Sequence, residues 1–350
     1  MLIMTELRKI GRSLKGDPFS SLAATTGIEG FRVRTEILRS DIEENMGLAD
    51  ERISSILSNQ QENGSWGDTI AETAGNVNLL LDYGCPPDHV GINAAKDWLL
   101  TRQIIGGKYY EGLFMENGYE LLPRRLKREE RIRLNQETDL LNEKYAEFNP
   151  WGACGAHTMA PTSSALEVFF RTGEDVSSND RLALAVDMVI ALGNMGDYGI
   201  CEGNIVINGM RRKRKVKPEY RSWTKKDNRL FRRACEENPG IPICAHHFLR
   251  AASYSRELLH SAMVTEAVKS WKKHQLENGN FETEYHLYDF YFAVDTLRLF
   301  RELPEAAEMF GKTIPAILRR QRKDGLWRKK GDWVTPTFSV VYALHQFGYL

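Results

Sequence analysis

Four segments of this 350-residue chain close on the same signature: a glutamine, three residues, a glycine, one residue and an aromatic. They read Gln60-x3-Gly64-x-Trp66, Gln103-x3-Gly107-x-Tyr109, Gln275-x3-Gly279-x-Phe281 and Gln321-x3-Gly325-x-Trp327. A supersecondary unit that recurs in this way cannot bury its apolar face alone. It must stack on its neighbours, so the repeat limits the architecture before any single residue is weighed.

Ahead of each signature lies an apolar pattern of helical period. Ala94, Ala95, Trp98 and Leu99 precede Gln103; Ala262, Ala267, Val268 and Trp271 precede Gln275; Ile314, Ile317 and Leu318 precede Gln321. Spacings of three and four put these groups on one helix face. The glycine then falls just past the helix, where a left-handed residue ends it. The aromatic folds back onto the hairpin, and the glutamine is placed to hydrogen-bond loop backbone.

A second, more apolar helix follows each signature. Glu72-Thr73, Pro161-Thr162 and Pro336-Thr337 precede Gly84, Gly173 and Gly348 by the same interval, and proline suits a first helical turn. His247-Phe248 and Asp289-Phe290 open two further segments, the first preceded by a degenerate signature, Gly196-x-Tyr198. The expectation is an all-α fold: one domain over 1–350, an α/α toroid of about five to six helical hairpins around a central cavity. The more apolar helices form its inner ring, residues 1–46 add an N-terminal helical segment, and a stacked open solenoid is the alternative. Insertions at 110–150 and 202–243 separate signature from inner helix and enter at the cavity mouth.

Formal net charge is zero, so no global charge argues for nucleic acid or membrane. The five cysteines, Cys85, Cys154, Cys201, Cys235 and Cys244, are odd in number and lack a close-spaced framework, which suits reduced thiols in a cytoplasmic protein. The first residues carry charges and no apolar core segment, unlike a signal peptide. No apolar run approaches the ~18 residues needed to span a bilayer.

The signatures resemble the QW motif of the terpenoid cyclase and protein prenyltransferase superfamily, and the resemblance covers residues 51–348. It implies isoprenoid chemistry in the central cavity, near the N-terminal ends of the inner helices. Class II cyclases of that superfamily protonate an alkene with an Asp of a D-x-D-D motif. No such motif occurs here, and the nearest feature is Asp289 in the run His286-Leu287-Tyr288-Asp289-Phe290-Tyr291. Asp289 reads either as a helix cap or as an acid or base in an aromatic setting. Tyr288, Tyr291 and Phe292 would then line the cavity and stabilise cations, and Thr162 and Thr337, at inner-helix starts, join them as substrate contacts. Prenyltransferase β subunits hold zinc with an Asp-x-Cys pair and a histidine. Here Phe292 stands where that histidine would be and the preceding inner helix, Ile243-Cys244-Ala245-His246-His247, lacks the pair, so the family's zinc site is not carried over.

Another metal constellation remains open. Cys154-x2-His157 and Cys244-x2-His247 stand before successive inner helices, with Cys201 between them, and these are ligand types zinc prefers. The alternative is buried thiols and satisfied histidines. His247 is also a candidate for the catalytic set. Either zinc or magnesium is compatible with the chemistry, and neither is established by it.

The second insertion is strongly basic, with 12 basic residues against two acidic ones over 211–233. Arg212, Arg214 and Lys217 at the mouth of an apolar cavity would hold the phosphates of a prenyl diphosphate. A solvated loop is one alternative. Nucleic-acid binding is another, with Tyr220, Trp223 and Phe231 available for stacking. The functional expectation is therefore an isoprenoid-acting enzyme, with a non-catalytic toroid that binds an apolar or phosphate-bearing ligand as the alternative. A carbohydrate-acting barrel, needing paired carboxylates, finds only Glu72 and Asp289 at equivalent positions.

Overall fold

The computed structural model describes residues 13–40, 42–103, 105, 112, 114, 159–194, 243–272, 275–281 and 290–350. Among these residues the chain is helical, with no strand and only isolated antiparallel bridges. The N-terminal part holds α1 (Phe19–Ala23) and α2 (Ile28–Arg32), which runs into a π-helical turn over Val33–Leu38. The repeats then follow as helix pairs. They are α3 (Ile42–Leu57) with α4 (Ile70–Asp82), α5 (Val90–Thr101) with α6 (Met159–Arg171), and α7 (Asp180–Asn194) with α8 (Ile243–Ala252). After the short α9 (Arg256–Leu259) come α10 (Ala262–Trp271) with α11 (Phe290–Leu299), and α12 (Pro304–Arg320) with α13 (Val334–Gln346). No described helix is long and apolar enough to cross a membrane.

Within a pair the two helices are built differently, and the last pair shows why. In α12 the buried residues are Ala306, Met309, Phe310, Thr313, Ile314, Ala316 and Ile317. Those spacings of three and four define one apolar face, and the other face meets water. In α13 every residue from Pro336 to Leu344 is buried. A helix covered on all sides must be enclosed by neighbours. Inverse capping marks the ends: Pro304 opens α12 at its first position, and α13 closes at Gly348 with Tyr349 N–H donating to Leu344 O at 2.8 Å. The same closing bond recurs from Cys85 to Leu80 and from Glu174 to Phe169.

The chain divides into two compact units. One comprises residues 60–78 and 87–258, where α6 packs along α8 and also meets α5 and α7. The other comprises residues 1–59, 79–86 and 259–350. There α11 packs along α13, α12 packs on α10 and α11, and α13 also meets α1, α2 and the π-helical turn. This second unit is discontinuous in sequence and joins the start of the described chain to its end.

Each signature is a socket for another segment. Gln60 Nε2 donates to Gly64 O at 2.8 Å in its own turn and to Gly91 O of α5 at 2.7 Å. Gln275 Nε2 donates to Met309 O of α12 at 2.7 Å and to Thr313 Oγ1 at 3.0 Å. Gln321 Nε2 donates to Gly325 O at 2.8 Å and to Gly16 O at 3.1 Å. The glycine of each turn lies against the backbone of the same incoming segment. A Cβ added to Gly64 would fall 2.4 Å from Ala94 O, and one added to Gly279 would fall 2.2 Å from Lys312 O.

The second signature is corrected by the structure. Gln103 Nε2 donates to Gly112 O at 2.8 Å and to Arg181 O of α7 at 2.7 Å, and Gln103 bridges Phe114. Gly112 has φ +93°, and its Cβ position lies 2.7 Å from Leu184 O. The turn glycine and aromatic are therefore Gly112 and Phe114, whereas Gly107 and Tyr109 lie outside the described residues. What selects Gly112 is the combination of positive φ and close backbone approach that only glycine meets.

Candidate functional site

The N-terminal ends of the second helices are where the sequence places function, and a recurring threonine organises three of them. Thr73, Thr162 and Thr337 are each fully buried. Thr337 Oγ1 accepts from Trp327 N–H at 3.0 Å and donates to Trp327 O at 3.0 Å. Thr162 does the same with Phe114, at 2.9 and 3.3 Å, and Thr73 with Trp66, at 3.1 and 3.4 Å. One hydroxyl thus satisfies both backbone groups of the signature aromatic, which would otherwise be buried unpaired. The Trp327 indole completes its own bonding by donating to Ile317 O at 2.8 Å. Thr162 and Thr337, expected among the substrate contacts, have their hydroxyls committed to the scaffold. The physical reason is the aromatic backbone that each must satisfy.

At the start of α11, the Phe290 ring meets Tyr291 edge-on, with centroids 5.5 Å apart, and carries the Arg320 guanidinium 4.0 Å from its centroid. Tyr291 and Phe292 are half-buried, and the Tyr291 hydroxyl donates to Arg328 O at 3.4 Å. The Phe290 face is thus occupied by the Arg320 guanidinium in a cation–π contact. The structure thereby brings Tyr291 and Phe292 to one helical turn. Phe292 cannot ligate a metal, so the prenyltransferase zinc triad does not fit these residues.

Several expected site residues lie outside the described residues: Tyr288, Asp289, Cys154, His157, Cys201, Arg212, Arg214 and Lys217. Cys244 and His247 belong to α8, with their side chains outside the description. Among the described residues no group of three or more His, Cys, Asp or Glu side chains could hold a metal ion.

Sequence reasoning missed two polar clusters. In the unit that holds residues 259–350, Arg32 Nε pairs with Glu36 Oε1 at 2.6 Å and Arg32 Nη1 reaches Asp82 Oδ1 at 3.6 Å. Its Nη2 donates to the Tyr342 hydroxyl, which in turn donates to Glu36 Oε2. Arg32 and Arg298 both lie over the Tyr342 ring, 4.4 and 5.0 Å from its centroid, and Arg298 is held by Asp295 at 2.6 Å. Burial opposes the charge of Arg32, but the Glu36 hydrogen bond and the nearby Tyr342, Glu36 and Asp82 outweigh it, and its pKa is raised. Burial likewise pushes the Tyr342 phenol up, with Glu36 adding to the shift against the opposing fields of Arg32 and Arg298. Tyr342 therefore stays a neutral donor. Both guanidiniums have carboxylate partners, so this arrangement locks α2, α4, α11 and α13 together.

In the other unit, Glu167 of α6 is 6% exposed and receives Arg250 Nε of α8 at 3.2 and 3.1 Å. One turn earlier on the same face of α6, the buried Ser163 hydroxyl has no hydrogen-bond partner among the described residues. One turn later, Arg171 donates to Asn78 O and Oδ1 and lies 5.2 Å from the Tyr254 ring centroid. The sequence signal was present as Ser163, Glu167 and Arg171 at steps of four, a polar stripe on a helix read as apolar. A comparison with protein-family models finds no match for this chain, and a comparison with curated proteins finds none either.

Proposed function

We propose that the hairpins close into an α/α toroid whose second helices surround a cavity, and that the chain acts there on an isoprenoid or similar apolar substrate. One observation carries the proposal. Each described signature glutamine donates to the backbone of a segment beyond its own turn, and the last donates to Gly16 of the N-terminal segment. A last hairpin that binds a segment preceding the first hairpin is the connectivity expected of a ring. The burial of α13 on all sides suits a helix of its inner wall.

In this reading Asp289, directly before α11, is the acid or base. As an acid it gives its proton to an alkene carbon and leaves a carbocation. Tyr288, Tyr291 and Phe292 present aromatic faces to that cation. His247 belongs to the same set, and Arg212, Arg214 and Lys217 hold the phosphates if the substrate is a prenyl diphosphate.

The test is incubation of the purified chain with C10, C15 and C20 prenyl diphosphates, with and without Mg²⁺, followed by extraction and product analysis. A cyclised product that keeps its diphosphate, formed when the cation loses a proton or captures water, is expected and would be read as an alcohol after phosphatase treatment, and Asp289→Ala should abolish it. Saturable binding with no product at any chain length would replace catalysis by a binding role. Absence of both binding and product would sink the isoprenoid reading.

A further inference from the structure

Three of the four described sockets receive the backbone of a helix, in one register. The carbonyl that accepts from the glutamine lies three residues before the one that touches the glycine: Gly91 and Ala94 in α5, Arg181 and Leu184 in α7, Met309 and Lys312 in α12. The fourth socket, Gln321 with Gly325, receives a non-helical segment instead.

That segment is bound by more than the glutamine. Lys15 N–H donates to Gln321 Oε1 at 2.6 Å, so the Gln321 amide is used at both ends. Lys15 Nζ donates to Arg319 O at 2.9 Å and Gln321 O at 2.8 Å. These carbonyls close α12, where unpaired acceptors and the helix dipole favour a cation. Gly16 and Gly325 then meet backbone to backbone. A Cβ on Gly16 would lie 2.7 Å from Gly325 N and 2.9 Å from Lys323 O, and a Cβ on Gly325 would lie 2.6 Å from Asp17 O. Neither side can give way, because the obstructing atoms are main chain. Immediately behind, the Asp17 carboxylate accepts from Phe19 N–H at 2.8 Å and Ser20 N–H at 3.4 Å, turning the chain into α1.

We propose that Gln321, Gly325 and the end of α12 form a peptide-binding site, and that residues 15–17 of the same chain occupy it as a latch. The site reads a short motif by chemistry: a lysine whose ammonium closes a helix, followed by a glycine that no side chain can replace. The other sockets hold segments anchored by a whole helix, whereas this one holds a non-helical bend. It is therefore the first of the four to open, and its opening uncovers the last carbonyls of α12 and the turn over 321–325. The inference concerns closure of the fold and stands whether or not the isoprenoid reading does.

Hydrogen exchange on the full chain tests it. Gly16→Val should raise exchange at residues 321–327 by about tenfold or more, the change expected for losing one or two hydrogen bonds, while residues 275–281 keep their protection. Lys15→Ala should do the same to a smaller degree. In a chain lacking residues 1–17, a synthetic peptide spanning 13–20 should restore protection at 321–327 in a concentration-dependent way, and the same peptide carrying Gly16→Val should not. Unchanged exchange at 321–327 in both single variants overturns the latch. Equal loss of protection at 275–281 overturns it too, since that result would report general destabilisation. If the shortened chain does not fold, the two single variants decide.

Discussion

Thr337 satisfies the N–H and the C=O of one buried tryptophan with a single oxygen. Valine has nearly the same shape and no such oxygen. Thr337→Val therefore leaves two main-chain groups unpaired in the core, at a cost of about 2–3 kcal/mol. Thr337→Ser keeps the hydroxyl and should recover most of that loss. Urea denaturation gives the answer as a shift of midpoint at constant slope. A fully destabilised serine variant would show that the methyl group, not the hydrogen bonds, matters at this position. The residues bearing this role were visible in the sequence as an Xaa-Thr pair at a fixed distance from a helix-ending glycine. Their partner was not visible. A helix-start threonine facing a cavity and one facing an aromatic backbone have identical local sequence, and only the tertiary position of Trp327 separates them. The Arg32 cluster was hidden for a related reason: it assembles Arg32, Asp82, Arg298 and Tyr342 from four distant stretches, none of which has a motif of its own.

At the level of the helical hairpin, the signature works because glutamine and glycine address one incoming backbone at two points. Gly279 illustrates the cost of changing it. Its φ is +79°, and an added Cβ would fall 2.2 Å from Lys312 O and 3.2 Å from Thr313 Cα. Left-handed strain alone costs roughly 1–2 kcal/mol, and displacement of α12 adds to it, so Gly279→Ala should destabilise by about 3 kcal/mol or more. Gly75, in the interior of α4, is the control, since nothing lies within 4 Å of its Cβ position. Gly75→Ala should stabilise by about 0.5–1 kcal/mol through helix propensity. Thermal unfolding of the two variants should move in opposite directions, and a neutral Gly279→Ala would remove the close backbone approach as the reason for that glycine. The helix-ending role of these glycines and the glutamine bond to loop backbone follow from the repeat pattern. The second half of the glutamine's bonding, to another helix, does not, because a repeat aligned on itself carries no record of what its neighbours place against it. The same limit explains Gly107. With Gln103 four residues before and Tyr109 two residues later it fits the whole pattern, whereas Gly112 and Phe114 keep only the glycine–aromatic half of it, and the structure uses them to meet Arg181, Leu184 and Thr162.

For the whole molecule, the consequential fact is that residues 13–59 and 259–350 belong to one compact unit. Arg32 shows how the join is made. It bonds Glu36 in its own segment, Tyr342 on α13 near the other end of the sequence, and Asp82 at the end of α4. Contacts of such sequence separation form after local helices, because loop closure must be achieved before they return any stabilisation. The N-terminal segment therefore completes its packing only when α13 is present, and the two should lose structure together. Arg32→Met tests this. It removes the guanidinium and leaves Glu36, Asp82 and the Tyr342 hydroxyl without their shared partner. With the Arg32 side chain 20% exposed, the cost should be about 2 kcal/mol, below the 3–5 of a fully buried pair. Native-state hydrogen exchange in low denaturant should then show α2, α11 and α13 losing protection by a common increment, whereas α6 and α8, in the other unit, keep theirs. If α2 alone lost protection while α13 was unaffected, the chain start would be an appendage rather than part of the core. A common increment would establish that residues 13–40 and α13 form one cooperative part of this unit, so that anything displacing the N-terminal segment acts directly on α13.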